Sequence, residues 1–177
     1  MQYLFQSQRL GFRNWKAEDL KELFSLCSDS EVMEFFPKTL TEYETKSFII
    51  RMQREYEAFG FCYFAVDKLE NQELIGFIGI SNKDFKADFT PCIDIGWRLK
   101  KSMWNHGYAT EGAKACLDYA FDKLNLTHIY AIAPAINAKS EGVMKKIGMS
   151  KVGNFVHPEL AKDKRLSKCV LYEIKAN

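Results

Sequence analysis

The chain has 177 residues, a length that suits one domain (1–177) with a substantial core. Apolar residues make up 47% and charged residues 27%, an ordinary globular balance. Twenty-five basic residues nearly cancel 23 acidic ones, and the +2 that remains gives no broad electrostatic footprint for nucleic acid. Short basic clusters such as Lys100-Lys101, Lys145-Lys146 and Lys162 to Arg165 read as solvated faces. No apolar run approaches the roughly 18 residues that span a bilayer, and Met1 to Leu10 carries no signal-like segment, so a cytoplasmic, membrane-free protein is expected. Cys27, Cys62, Cys92, Cys116 and Cys169 are widely spaced, with no Cys-x-x-Cys pair. They predict buried thiols rather than a disulfide framework or a metal site.

In chain order, Arg9 to Asn14 alternates as a first strand, and Ala17-Glu-Asp-Leu opens a helix with Leu20, Leu23, Phe24 and Cys27 on its buried face. Ser28 to Lys38 is a connection, and Pro37 keeps Phe36 out of helix. Its Phe35 and Phe36 are either core packing or an aromatic wall of a cleft. Thr41 with Glu44 forms a capping box for a second helix, whose stripe is Phe48, Ile49, Met52, Tyr56 and Phe59 and whose stop is Gly60. Cys62 to Asp67 and Leu74 to Ile80 predict a hairpin, the second strand buried on both faces, followed by a loop from Ser81 to Pro91.

The stretch from Asp94 to Thr110 is the centre of the chain. Ile95, Trp97 and Leu99 alternate with Asp94, Gly96 and Arg98, the period of a strand. After a polar loop ending at Gly107, the period becomes helical through Ala109, Ala113, Cys116, Leu117, Ala120, Phe121 and Leu124. A strand, a glycine-bearing loop and a helix start present free backbone N–H groups and the positive end of a dipole, an arrangement that attracts an anion. Thr127 to Ala133 is a following strand, parallel to the first. Asn137 starts a fourth helix through Ile147, Gly148 stops it, and Lys151 to Val156 and Lys168 to Ile174 close the chain as a strand pair. The order implies one mixed α/β (α+β) sheet of about seven strands with helices on both faces.

Neither a Gly-x-x-x-x-Gly-Lys-Ser/Thr nor a Gly-x-Gly-x-x-Gly motif is present. Trp104-Asn-His-Gly107-Tyr-Ala109-Thr-Glu instead resembles the pyrophosphate loop of the GNAT superfamily of N-acetyltransferases, Gln/Arg-x-x-Gly-x-Gly/Ala. Ile95-Gly-Trp-Arg-Leu, with Trp104 in the first motif position, resembles the branch that holds the ribosomal-protein N-terminal acetyltransferases. Asn137-Ala-Lys-Ser140, Lys146-Ile-Gly-Met149, His157-Pro158, Val170-Leu-Tyr172 and the opening Arg9-Leu, Trp15 and Glu18-Asp19 extend that resemblance over nearly the whole chain.

The resemblance implies a splayed sheet and acetyl-CoA as co-substrate, with no metal. Backbone groups of Trp97, Arg98 and Leu99 would pair with the pantetheine arm like an added strand. Amides of Asn105, His106, Gly107, Tyr108, Ala109 and Thr110 would cradle the pyrophosphate, and Asn137 would reach the arm from the other side while also serving as an N-cap. The superfamily transfers acetyl by direct attack of an amine in a ternary complex. Asp94 is the first candidate base, against a surface aspartate; His157 is the second, against a loop histidine held by Pro158. The tyrosine many members use as general acid is replaced here by Met144, which leaves Ser140 as candidate proton donor or as a second CoA contact. An α-amine costs about 1 kcal/mol to free at pH 7 and a lysine-like amine about 4.6 kcal/mol, so the two acceptor classes ask differently of a base. The expected partner is a small-molecule or peptide amine, including a protein N-terminus, acting on a monomer or homodimer. A non-catalytic acyl-CoA-binding domain of the same fold is the alternative.

Overall fold

The computed structural model describes residues 2–176, so Met1 and Asn177 of the expected 1–177 domain lie outside the described residues. Its strands are β1 (Phe5–Gln6), β2 (Leu10–Arg13), β3 (Tyr63–Lys68), β4 (Leu74–Lys83), β5 (Cys92–Leu99), β6 (His128–Pro134), β7 (Ser150–Val156) and β8 (Lys168–Lys175). Its α-helices are α1 (Leu20–Ser28), α2 (Glu42–Phe59), α3 (Tyr108–Asp118) and α4 (Ala138–Lys146). All strands join one sheet in the order β1-β2-β3-β4-β5-β6-β8-β7. It has eight strands rather than about seven. The additional one is β1, two residues that are too short to display a period and are held by pairing Phe5 with Phe12, whose rings stack 4.4 Å apart.

From β1 to β5 the chain is an antiparallel meander. The α3 crossover makes β6 parallel to β5, and β8 then inserts antiparallel between β6 and β7. β4 is buried from Leu74 through Ser81, as its unbroken apolar run requires, and it continues to Lys83, shortening the predicted loop. Helix α3 packs on β4 and β5, and α1 packs on α2 and β4. The close seat of α3 depends on Gly112, where an added Cβ would lie 2.3 Å from Ile78 Cδ1. Helix α2 starts on its capping box: Glu44 N donates to Thr41 Oγ1 (3.2 Å), and Thr41 N donates to Glu44 Oε2 (2.9 Å). It ends at Gly60 in the left-handed conformation. Phe59 of its predicted stripe is exposed, because the last helical turn runs past the sheet, and its ring stacks on Phe61 instead. Helix α3 continues as a π-helical turn over Tyr119–Lys123. Four cysteines are buried and Cys92, at the start of β5, is half-buried. No described helix is long and apolar enough to cross a membrane.

The predicted first strand contains an ion cluster that periodicity does not show. Arg13 is 5% exposed and binds two carboxylates, Asp67 through Nε and Nη2 (2.7 and 2.9 Å) and Asp19 through Nη1 and Nη2 (2.7 and 2.8 Å). Asp19 also accepts from Lys16 N at 2.7 Å, so the cluster fixes the entry of α1 against β2 and β3. Removing one partner from such a cluster strands a buried charge, which costs more than the pair itself contributes. Asp67→Ala is expected to lower the unfolding free energy by about 3 kcal/mol. Urea denaturation is the measurement, and a loss below about 1 kcal/mol would remove the cluster from this role.

Candidate active site

The parallel strands β5 and β6 share a single register pair, Asp94 with Tyr130. On their outer sides both are fully paired, β5 with β4 from Cys92 to Leu99 and β6 with β8 from His128 to Pro134. Beyond Asp94 and Tyr130 they diverge and leave a gap between their inner edges. A cavity of about 550 Å³ opens on the β5 side of this gap, bounded by Trp97, Arg98 and Leu99 of β5, by Trp104, Asn105 and Gly107 to Thr110 of the loop and helix start, and by Asn137, Ser140 and Val143 at the start of α4. Val32, Phe35 and Phe36 of the α1–α2 connection complete the wall, so the aromatic pair faces the cleft.

Each wall has a local cause. Leu99 is followed by a 3-10 turn, Lys101–Met103, and Trp104 Nε1 donates to the Leu99 carbonyl (3.0 Å), folding the loop back against β5. Trp104 is half-buried and also lines the cavity, with Lys139 Nζ 4.5 Å over its ring. Asn105 (φ +63°) and Gly107 (φ +81°) both adopt left-handed backbone, the kind of conformation from which anion-binding nests of amides are built. A side chain at Gly107 would strain this conformation. On α4, Asn137 Oδ1 accepts from Ser140 N (3.1 Å), the N-cap bond. Its Nδ2 makes no hydrogen bond among the described residues, so capping leaves a donor for a ligand.

Arg9 is the residue that sequence reasoning missed here. Its Nε donates to Glu111 Oε2 (2.6 Å), its backbone N to Glu111 Oε1 (2.8 Å), and its Nη2 to the His106 carbonyl (3.1 Å), while its guanidinium lies 4.4 Å over the Tyr108 ring. Ser7 Oγ adds a bond to Glu111 Oε1 (2.7 Å). Burial pushes the Glu111 carboxyl up, but Ser7 and Arg9 together hold it below its ordinary range. The first turn of α3 is thus tied to the loop before β2. The pairing of Arg9 with Glu111 spans about a hundred residues, and only the Arg9-Leu and Thr-Glu ends of the motifs hint at it.

Of the residues expected from sequence, the structure gathers Trp97, Arg98, Leu99, Asn105, Gly107, Tyr108, Ala109, Thr110, Asn137 and Ser140 in the cavity wall. His106 is exposed, with its ring stacked on Tyr108 and its carbonyl held by Arg9. Asp94 lies outside the wall. It is buried, not a surface residue: 6% exposed, it accepts from Tyr63 Oη (2.6 Å) and sits 3.5 Å from Lys83 Nζ. Burial raises its pKa, against the lowering pull of Lys83 and Tyr63. Tyr63 lies beside Gly96, where an added Cβ would be 3.3 Å from Oη, so the Asp94–Tyr63 pair runs along the sheet face below the splay. His157 is also outside the wall. Its ring lies 4.3 Å from Phe85, its Nδ1 is buried without a partner, and burial lowers its pKa. Met144 is buried and carries no proton to give. Among the described residues no group of three or more His, Cys, Asp or Glu side chains is placed to hold a metal ion.

The profile of the acetyltransferase (GNAT) domain family matches residues 9–150. The uncharacterized N-acetyltransferase YnaD of Bacillus subtilis is 33% identical over 150 residues, 84% of each chain. The spermidine N(1)-acetyltransferase of Escherichia coli is 31% identical over 88 residues, 50% of this chain and 44% of that one. The crystal structure of a GNAT-family acetyltransferase from Bacillus anthracis superposes with a TM-score of 0.81 at 28% identity, covering 96% of both chains. With this splayed sheet and this family match, the chain belongs to the GNAT acetyltransferases and is an N-acetyltransferase.

Proposed function

We propose that the chain takes the acetyl group from acetyl-CoA and places it on a primary amine by direct attack within a ternary complex. The observation that carries this reading is the gap beyond Asp94 and Tyr130, because it joins three features the donor needs. The inner edge of β5 at Trp97, Arg98 and Leu99 offers backbone groups to a peptide-like pantetheine arm. The amides from Asn105 to Thr110 offer a concavity and the positive end of α3 to a pyrophosphate. Asn137 Nδ2 offers a donor from the opposite wall. Bound acetyl-CoA would supply an activated thioester, and the chain's own groups would do the rest.

In this reading Ser140, in the wall one turn into α4, donates a proton to the departing thiolate. Asp94 is the better-placed base of the two candidates, acting through Tyr63, whose ring fills the space beside Gly96 and whose hydroxyl donates to Asp94. His157 is packed among Phe85 and Phe155, and its lowered pKa weakens it as a proton acceptor. The acceptor is a small-molecule amine or a protein N-terminus. The motif resemblance favours the ribosomal-protein branch, and the relative that acts on spermidine matches over half of this chain.

Gly107→Val should weaken acetyl-CoA binding through backbone strain of about 1–3 kcal/mol, and Asn137→Ala through one lost hydrogen bond, about 2- to 12-fold. Calorimetry is the check, and unchanged affinity in both variants would refute this placement of the donor. Ser140→Ala is expected to lower turnover about 100-fold with little change in acetyl-CoA affinity. Equal turnover would remove Ser140 from the acid role. A base works as its conjugate anion, so activity should fall as pH falls through the pKa of Asp94, which burial raises above its ordinary value. In Asp94→Asn that acidic limb should vanish from the pH profile of kcat/KM; an unaltered limb assigns the base elsewhere. Intact acetyl-CoA binding with no thiol release across α-amines, lysine amines, polyamines and aminoglycosides would replace transfer by a binding role.

A further inference from the structure

The chain treats two strand arginines differently, Arg13, which is buried, and Arg98, which is half-buried. Arg13 has two carboxylates in close contact. Arg98 has none. Among the described residues its only hydrogen bond goes from Nη1 to Cys27 Sγ (3.3 Å), and its Nε is buried without a partner. Its guanidinium lies 3.9 Å over the Phe36 ring and 5.1 Å from the Phe77 ring. Cys27 does not neutralise it, since burial pushes that thiol up and keeps it protonated. Burial also lowers the pKa of Arg98 itself, the sign of a cation held without an anion. A half-buried guanidinium whose Nε is shielded from water and unpaired gains from an anionic partner.

Arg98 also lines the cavity, so what pairs with it can come from a ligand. The charged groups around that wall are Arg98, Lys139, Lys146 and Glu31, and Glu31 is exposed and bound to Lys101. The register separates Arg98 from the helix start. Phe77 is opposite Arg98 and Ile78 is opposite Trp97, and α3 meets the sheet at Ile78 through Gly112. Side chains opposite each other share a face and neighbours along a strand alternate. Arg98 therefore projects away from α3, toward Cys27 and Phe36 on the side of the α1–α2 connection.

We propose that Arg98 receives a carboxylate of the acceptor, so that the substrate is an amino-acid-like molecule carrying an amine and a carboxylate together. This deepens the acetyltransfer reading and rests on it for the amine. The planar fork of arginine suits a carboxylate, and the rings of Phe35 and Phe36 beside it give the organic body of the acceptor an apolar wall. A polyamine, with cations alone, would meet an unpaired cation there.

The test uses equilibrium binding, which needs no turnover. CoA-loaded protein is titrated calorimetrically with N-acetyl-leucine, N-acetyl-phenylalanine, N-acetyl-β-alanine and N-acetyl-4-aminobutyrate, each against its carboxamide. At least one acid is expected to bind about 10- to 100-fold more tightly than its amide. In Arg98→Met that gap should collapse, and acetyl-CoA, which would meet Arg98 only through its backbone, should lose much less affinity than the acids do. Arg98→Lys, which keeps the charge and the fold should Met disturb packing, should show a reduced gap. The proposal is overturned by the absence of any gap across the set, by a gap that survives both variants, or by a matching loss of acetyl-CoA affinity. The last result would assign the anion to a phosphate of the donor. If the gap is present but the free amino acids release no thiol from acetyl-CoA, transfer fails and the carboxylate site stands.

Discussion

The divergence of two parallel strands is the constraint on which the site depends. Every backbone N–H and C=O removed from water needs a partner. β4 and β8 satisfy the outer edges of β5 and β6, and one pair, Asp94 with Tyr130, joins the inner edges. Past that point the inner edge of β5 lies within a folded sheet yet faces a cavity instead of β6. The fold thus presents extended backbone without exposing a long outer edge to other chains, which free sheet edges otherwise do. Two further strands, β8 and β7, lie beyond β6, so the vertex is inside the sheet and not at its rim.

Around that vertex, structure is fixed by groups distant in sequence. Trp104 folds the loop back onto the end of β5, and Arg9 clamps the first turn of α3 from the loop before β2. Arg165 reaches the Glu34 carbonyl at 2.6 Å, joining the β7–β8 connection to the α1–α2 connection over the same side of the sheet. These contacts hold short irregular segments that have little intrinsic preference for one conformation, so the cavity is shaped before any ligand arrives.

Local physics was readable from the chain. The capping box of Thr41 and Glu44, the left-handed stop at Gly60, the period change at Gly107 and the N-cap at Asn137 each depend on neighbours within four residues, and all appear as expected. The cavity wall from Trp97 to Thr110 was legible for the same reason, since strand, loop and helix start are contiguous. What was not legible depends on partners brought together by folding. β1 has no period of its own, Arg13 needed both Asp19 and Asp67, and Asp94 is covered by Tyr63 of β3 and Lys83 of β4. Alternation correctly placed Asp94 with Gly96 and Arg98 on one face, but it could not say that this face is covered.

The sequence by itself determined every sheet strand but β1, the main helices, their order and the family resemblance, because hydrophobic period, caps and the Trp104 to Glu111 motif are short-range properties. Tertiary structure alone decided which charges are neutralised. Arg13 and Arg98 both sit on strands among apolar neighbours, and nothing in their local sequence distinguishes them. Packing supplies the first with two carboxylates and the second with a neutral thiol and two aromatic rings. Electrostatic pairing is set by distances of a few ångströms between residues far apart in the chain, and only the folded sheet defines those distances.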